Sequence, residues 1–174
     1  MKTSVALIGF MGTGKSAVGK ALAQKLGKGL IVLDDIIIVK AGKSIPDIFG
    51  QDGEPRFREL EVEVVCEVAN KKNAVIDCGG GVVLNTVNVE RLKKESVIVC
   101  LTAPVEVILK RTPGDSRPLL PKENREQYIR NILDYRLPLY TKAADITVDT
   151  SRLDVNGVVA EIIKKLGEYE NYYK

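Results

Sequence analysis

The sequence lacks histidine and tryptophan, and aromatic residues make up only 5% of it. The absence of histidine, together with three cysteines that form no CxxC pair, excludes the usual zinc sites. No apolar run approaches the roughly 20 residues of a membrane-spanning helix. The net charge of +3 is too small for a general nucleic-acid binder. We therefore expect no nucleic acid and no membrane among the partners.

The three cysteines are Cys66, Cys78 and Cys100, and two of them lie in apolar, strand-like runs. Buried reduced thiols are typical of cytoplasmic proteins. The apolar run near the start of the chain breaks at residues 12–15, too early for a secretory signal. We therefore expect a cytoplasmic protein, with small anionic ligands as the partners that suit a weak positive charge.

Short apolar runs alternate with longer amphipathic ones, which is typical of βαβ units and a parallel sheet. The 174 residues, 45% of them apolar, are enough for one domain with a full core. The predicted strands are residues 4–8, 30–33, 74–78, 97–101 and 146–148. The predicted helices are residues 15–26, 57–69, 87–94, 105–110, 125–135 and 155–169, the last with Asp154 as its N-cap.

The segment 113–123 fits neither pattern, because it carries three prolines and a glycine without any period. Inside a compact domain such a segment is either a plain loop or a mobile lid. The motifs described below favour a lid, which we place at about residues 112–124.

Residues 9–16, GFMGTGKS, match G-x-x-x-x-G-K-[ST] at every fixed position, between a predicted strand and a predicted helix. In such a loop, backbone N–H groups surround the phosphates, the lysine reaches the β- and γ-phosphates, and the serine ligates Mg²⁺. The alternative is a glycine-rich turn that precedes a lysine. The flanking elements favour the phosphate loop, so we expect ATP and Mg²⁺ as cofactors, Lys15 in catalysis and Ser16 as a metal ligand.

Asp34 ends the second predicted strand, and ligands bind at the carboxyl edge of a parallel sheet. It is a candidate base for the acceptor hydroxyl, with a helix N-cap as the alternative. Arg58 and Glu61 are three positions apart on a predicted helix and can pair. Arg58 is either half of an exposed ion pair or a fork for a substrate carboxylate.

Three more features point to ligand binding. Gly79, Gly80 and Gly81 follow a strand, where they suit a backbone that approaches a ligand closely, although a tight turn is the alternative. Arg117 lies on the predicted lid, from which it can meet the γ-phosphate. Arg136 lies near the end of a helix that we expect Pro138 to terminate, so it could instead serve the helix dipole.

Together these residues resemble the shikimate kinases. The resemblance rests on an ordered set of motifs between about residues 5 and 152: GxxGTGKS, LD, SIxDIF, DGExxFRxxE, GGG, RPLL and RxPLY. It implies a P-loop NTPase fold of the nucleoside monophosphate kinase type, a three-layer α/β/α domain with a five-stranded parallel sheet. It also implies transfer of the ATP γ-phosphate to the 3-hydroxyl of shikimate, a step of aromatic amino-acid biosynthesis.

The resemblance further implies roles for single residues and a substrate-binding segment at about residues 34–61. Asp34 would hold shikimate hydroxyls and accept the proton, while Arg58 and Arg136 would bind the carboxylate. Gly80 would donate from its backbone N–H, and we expect Gly79 and Gly81 to face the substrate beside it. The residues that would bind the nucleotide are Gly12, Thr13, Gly14, Lys15, Ser16, Ala17, Arg111, Arg117 and Arg152, with Arg111 and Arg152 near adenine.

One departure from the family pattern concerns the metal. The family usually has Asp-x-Asp where this chain has Val32-Leu33-Asp34, so the first carboxylate is missing. Asp77 ends an apolar run, as a Walker-B aspartate does, at a position where the family more often has a small residue. We hypothesise that Asp77 contacts the Mg²⁺ hydration shell instead.

Two other functions stay open at this point. The chain could be a kinase of the same architecture with another acceptor, such as gluconate or a nucleotide. It could also be a shikimate kinase-like binding module with weakened catalysis, for which Val32 is the support. The paired arginines favour an acceptor that carries a carboxylate. We expect a monomer.

Overall fold

The computed structural model describes residues 2–113 and 124–172. Five parallel strands form one sheet in the order β2-β3-β1-β4-β5. The strands are β1 (Ser4–Gly9), β2 (Gly29–Val32), β3 (Ala74–Asp77), β4 (Ser96–Thr102) and β5 (Ile146–Asp149). All of the predicted strands are present, and their bounds agree with the prediction to within one residue.

The sheet is covered on both faces, which explains why its central strands are mainly apolar. Successive side chains of β1 alternate between the two faces, with Ala6 and Ile8 in one core and Val5 and Leu7 in the other. The predicted three-layer α/β/α architecture is therefore confirmed.

The helices surround this sheet in chain order. They are α1 (Lys15–Leu26), α2 (Leu33–Ala41), α3 (Ile45–Asp47), α4 (Gly53–Val68), α5 (Thr86–Glu95), α6 (Val105–Arg111), α7 (Arg125–Ala143) and α8 (Val155–Tyr172). A π-helical turn (Ile48–Asp52) joins α3 to α4, and a 3₁₀ turn (Val82–Leu84) precedes α5. Asp154 accepts a hydrogen bond from the Gly157 amide at 2.7 Å, as expected of the N-cap of α8.

The second strand ends earlier than expected, and the placement of Asp34 at its end was wrong. Strand β2 stops at Val32, and Asp34 lies in the first turn of α2. Apolar residues continue on both sides of Asp34 and Asp35 through this change from strand to helix, because Leu33 and Ile37 are buried on the inner face of α2. Asp34 nevertheless stays at the carboxyl edge of the sheet.

The prediction that Pro138 ends a helix was also wrong. Helix α7 runs on to Ala143 with Pro138 inside it. A proline removes only one backbone hydrogen bond of the preceding turn, and the following turn is held by Tyr140 and Ala143, which are buried in the core. Arg136 therefore lies within a continuous helix.

Arg117 and most of the predicted lid lie outside the described residues, which omit 114–123. Within the described ranges, no helix is both long and apolar enough to cross a membrane.

Candidate active site

The phosphate loop connects β1 to α1 and wraps closely on itself. Gly9 has a φ of 141°, and a Cβ there would lie 2.3 Å from the carbonyl oxygen of Leu101, so only glycine fits. The Thr13 hydroxyl donates to the carbonyl of Phe10 at 2.7 Å, which closes the turn. Helix α1 then begins at Lys15 with Gly14 as its N-cap, so no side chain competes for its first N–H groups. This is the arrangement that binds phosphate.

Lys15 is held against the loop. Its Nζ donates to the carbonyl oxygens of Gly9 at 2.9 Å and Phe10 at 3.0 Å. The ammonium therefore lies beside the N-terminus of α1, where it adds to the positive potential that an anionic phosphate meets.

Asp77 ends β3 next to the phosphate loop. Its side chain is buried, with the residue 5% exposed, and it faces α1, where a Cβ on Gly19 would lie 3.8 Å from the Cβ of Asp77. Burial raises the pKa of Asp77, while the nearby Ser16 side chain and the charge of Lys15 oppose that rise. The two residues predicted to serve the metal are therefore neighbours.

The glycine triplet follows β3 and lies between the phosphate loop and the acceptor side. A Cβ on Gly80 would lie 3.6 Å from the carbonyl oxygen of Gly9 and 3.8 Å from the amide of Met11. A Cβ on Gly79 would lie 3.1 Å from Oδ1 of Asp34. The triplet thus brings Asp34 close to the phosphate loop.

Arg58 lies over the last glycine of the triplet. Its Nη1 donates to Glu61 at 2.9 Å, which confirms the predicted pair, and a Cβ on Gly81 would lie 2.1 Å from that nitrogen. Its Nε and Nη2 donate to Oε1 of Glu54 at 3.1 and 2.9 Å. The guanidinium also lies 5.0 Å from the ring centroid of Phe57. These contacts fix the direction of the fork.

Arg136 reaches the same triplet from α7. Its Nη1 is 3.4 Å from the carbonyl oxygen of Gly80, to which the Tyr140 hydroxyl also donates. Burial raises the pKa of Tyr140 to about 12, so the hydroxyl stays protonated as a donor. Nε of Arg136 is buried and has no hydrogen-bond partner among the described residues.

Glu61 is the most deeply buried carboxylate of the site, at 1% exposure. Burial raises its pKa and the charge of Asp34 adds to that rise, whereas Arg58 and Arg136 oppose it. Its Oε1 would be 3.2 Å from a Cβ on Gly79. Glu61 thus connects the aspartate and the two arginines electrostatically.

The expected adenine residues lie beyond the phosphate loop. Arg111 donates to the hydroxyl and carbonyl oxygens of Thr150 at 2.8 and 2.6 Å, and its Nη1 is 3.5 Å from the carbonyl of Gly12. Hydrogen bonding with Ser151 lowers the pKa of Asp149, and the charges of Arg152 and Arg111 add to that shift, so both arginines lie near Asp149. Arg117 lies outside the described residues.

Sequence reasoning missed two residues of this site. Glu54 lies four positions before Arg58, and Tyr140 lies four positions after Arg136, so each shares a helix face with its arginine. The i,i+4 spacing could have indicated both Glu54 and Tyr140. Tyr140 was missed because Pro138 suggested that the helix ended before it.

Comparison with known proteins shows which family this chain is similar to. The family model for shikimate kinase matches residues 11–167. The shikimate kinase of Thermodesulfovibrio yellowstonii is 46% identical over 168 residues, which cover 96% of this chain and 95% of that protein. A solved structure of shikimate kinase from Acinetobacter baumannii in complex with shikimate matches with a TM-score of 0.91 and 37% identity, covering 97% of this chain and 94% of that one.

A gluconokinase from Sinorhizobium meliloti 1021 also matches, with 18% identity and a TM-score of 0.59 over 99% of this chain and 98% of that one. At such low identity the match shows a shared fold alone, whereas the shikimate kinases match in sequence over nearly the full length. This chain belongs to the shikimate kinase family.

Proposed function

We propose that this protein transfers the γ-phosphate of ATP to the 3-hydroxyl of shikimate, giving shikimate 3-phosphate and ADP in aromatic amino-acid biosynthesis. The observation that supports this most directly is the convergence of Asp34, Arg58 and Arg136 on the glycine triplet beside the phosphate loop. A base and two cations for a carboxylate thus lie next to the place where the phosphate donor binds.

The donor side consists of the phosphate loop, Lys15 and the N-terminus of α1. The loop amides and Lys15 hold the β- and γ-phosphates. Arg111 contacts the carbonyl of Gly12 on the other side of the loop, towards Arg152, where the adenine would lie. Arg117 would reach the γ-phosphate from the lid.

The residues near the loop fit Mg²⁺, because they offer oxygen ligands and because Mg²⁺ needs few protein ligands when phosphates supply the rest. In residues 2–113 and 124–172, no three side chains from histidine, cysteine, aspartate and glutamate converge on one metal position. The Ser16 hydroxyl would hold the ion together with the nucleotide. A bound Mg²⁺ neutralises charge on the β- and γ-phosphates.

The acceptor side provides two guanidinium groups for one carboxylate. A guanidinium has five N–H donors, and Glu54 and Glu61 occupy three of those on Arg58. One N–H on each terminal nitrogen of Arg58 therefore remains for a carboxylate, and Arg136 brings a second guanidinium to the same glycine triplet. Binding the acid there would fix the ring relative to the loop.

Asp34 then takes the proton of the acceptor hydroxyl. Its Oδ1 would approach a Cβ on Gly79 to 3.1 Å, and Gly79 is adjacent to the glycine that contacts the loop. A hydroxyl between Asp34 and the γ-phosphate would be held for direct transfer.

The test is a coupled assay for ADP release with shikimate, gluconate and a nucleoside monophosphate as separate acceptors. We expect ADP release with shikimate at a kcat/KM at least about 100-fold above the others, since the paired arginines need a carboxylate in one fixed place. Two-dimensional ¹H–³¹P NMR should place the new phosphate at the 3-position. Faster turnover with gluconate or a nucleotide would contradict the proposal.

The binding-module alternative gives a different result. It predicts that calorimetry detects ATP and shikimate binding while no ADP is released from ATP. Location in the cytoplasm and the monomeric state stay predictions, the latter to be measured by light scattering coupled to gel filtration.

A further inference from the structure

The ends of three neighbouring strands surround the start of α1, and Asp77 is the one acidic residue among the final residues of these strands. Strands β1, β2 and β3 end at Gly9, Val32 and Asp77. Val32 and Leu7 are the register partners of Asp77 on either side. Adjacent partners in a sheet point their side chains to the same face. Asp77 is therefore a carboxylate flanked by two apolar neighbours.

That face is the one covered by α1. A Cβ on Gly19 of α1 would lie 3.3 Å from Leu7 and 3.8 Å from the Cβ of Asp77. The rest of this face forms an apolar core that includes Val5 and Val75. Burying a carboxylate at the edge of such a core costs free energy unless a partner compensates. The Ser16 side chain and the charge of Lys15 provide that compensation.

The two nearby aspartates of α2 are placed differently. Asp34 faces Gly79 and Glu61, on the acceptor side of the triplet. Asp35 is exposed, and its charge reaches Asp77 from a distance. Asp77 is thus the carboxylate that faces the first turns of α1, the helix that carries the loop serine whose hydroxyl would ligate the cation.

We propose that Asp77 is the carboxylate that orients the water ligands of the divalent cation bound with the nucleotide, from its position beside the first turn of α1. The same position explains why a carboxylate lies in an apolar setting: it supplies negative charge beside the loop serine and the cation. The inference rests on the proposed function only in requiring a nucleotide at the phosphate loop, and it holds for any acceptor.

The experiment measures Mn²⁺ binding to the protein–ADP complex by electron paramagnetic resonance, with ADP affinity in EDTA measured in parallel by calorimetry. In Asp77→Asn we expect Mn²⁺ to bind about tenfold more weakly, the lower end of the effect of removing such a partner. ADP affinity without metal should be kept or improved, since a negative charge near the phosphates is removed.

Asp35→Asn is the matched control, because it removes the same charge from a nearby exposed position. We expect its Mn²⁺ affinity to stay within about twofold of the wild type, as for a surface charge in water. An equal loss of Mn²⁺ affinity in both variants would mean that Asp77 acts only through its general charge, and would overturn the proposal. An unchanged Mn²⁺ affinity in folded Asp77→Asn would overturn it directly.

Thermal unfolding checks that each variant is folded. If Asp77→Asn does not fold, Asp77→Ser removes the carboxylate with a smaller side chain. Its Mn²⁺ affinity and its ADP affinity in EDTA then test the proposal in the same way. Because no acceptor is present, a negative result here leaves the shikimate assay unaffected. Wild-type protein that binds Mn²⁺–ADP but does not phosphorylate shikimate would contradict the proposed function alone.

Discussion

A Cβ on Gly81 would lie 2.1 Å from Nη1 of Arg58, so this arginine can take its observed position only above a glycine. The same guanidinium is held from the other side by Glu54 and Glu61. The carboxylate fork is therefore built by backbone and side chains together. Gly81, the last glycine of the triplet, leaves room for the Arg58 guanidinium, while Gly80 packs against the phosphate loop.

Gly81→Ala should displace Arg58 and weaken shikimate binding. Losing a charged hydrogen bond corresponds to about 1.5–3 kcal/mol, so we expect KM for shikimate to rise at least about tenfold. KM for ATP should stay near the wild-type value. Steady-state kinetics with each substrate varied in turn provides the measurement.

Gly50→Ala is the control for this substitution, because a Cβ on Gly50 meets nothing within 4 Å and its φ is not positive. It should leave both KM values unchanged. If Gly81→Ala leaves shikimate binding intact, the observed position of Arg58 is not required for binding the carboxylate. Arg58→Ala should give the same pattern as Gly81→Ala, with a larger effect.

The phosphate loop could be predicted from the sequence because it is local. Its glycines, lysine and serine lie within eight residues, and the flanking strand and helix are separately visible. The central strands β1, β3 and β4 were predictable for a related reason: each is a run of mainly apolar residues buried on both faces, so its pattern does not depend on distant contacts.

The acceptor side was harder, because its parts come from distant segments. Nothing local indicates that Tyr140 reaches the carbonyl of Gly80, 60 positions away in the sequence. Pro138 predicted a helix end, yet buried contacts after it outweigh one lost hydrogen bond. Only the resemblance placed Arg136 in the site, and the structure supplies the contacts that explain its position.

Asp34→Asn should lower kcat steeply while leaving nucleotide binding unchanged. Loss of a positioned general base reduces the rate by about 10²–10⁴-fold, and the amide keeps the size of the side chain. Rapid-quench measurement of the phosphoryl transfer step isolates the chemistry from product release. Calorimetry should give a wild-type ADP affinity. Normal turnover in this variant would remove Asp34 from its role as base.

Tyr140→Phe should raise KM for shikimate several-fold with a small change in kcat. The Tyr140 hydroxyl donates to the carbonyl of Gly80, which Nη1 of Arg136 also approaches. Without this hydroxyl, the glycine triplet and Arg136 should be held less firmly in place. An uncharged hydrogen bond contributes about 0.5–1.5 kcal/mol, which sets the expected size of the effect.

Tyr135→Phe provides the comparison, since Tyr135 lies on the same helix and is 70% exposed. It should have wild-type kinetics. A purely structural role for Tyr140 would lower the melting temperature without changing the ratio of KM for shikimate to KM for ATP. Such an outcome would exclude Tyr140 as a positioning residue for the acceptor.

Glu61 should make the folded protein less stable as the pH rises above the usual carboxylate range. Burial raises its pKa above the ordinary value of 4.5, with Asp34 adding to the rise and Arg58 and Arg136 opposing it. Between the unfolded and folded pKa values, the folded state binds more protons than the unfolded state. The free energy of unfolding therefore falls as pH increases through that window, with a slope of at most about 1.4 kcal/mol per pH unit.

Urea unfolding of wild type and Glu61→Gln at several pH values between 4 and 8 measures this contribution. We expect the free energy of unfolding of Glu61→Gln, relative to wild type, to increase with pH, because glutamine cannot lose a proton. Glu59→Gln is the control: Glu59 pairs with Arg56 on the exposed side of α4, with its side chain 65% exposed, and should give a difference that is flat with pH. A flat difference for Glu61→Gln as well would mean that the pKa of Glu61 is not raised in the folded protein, and that its pairing with Arg58 fully offsets its burial.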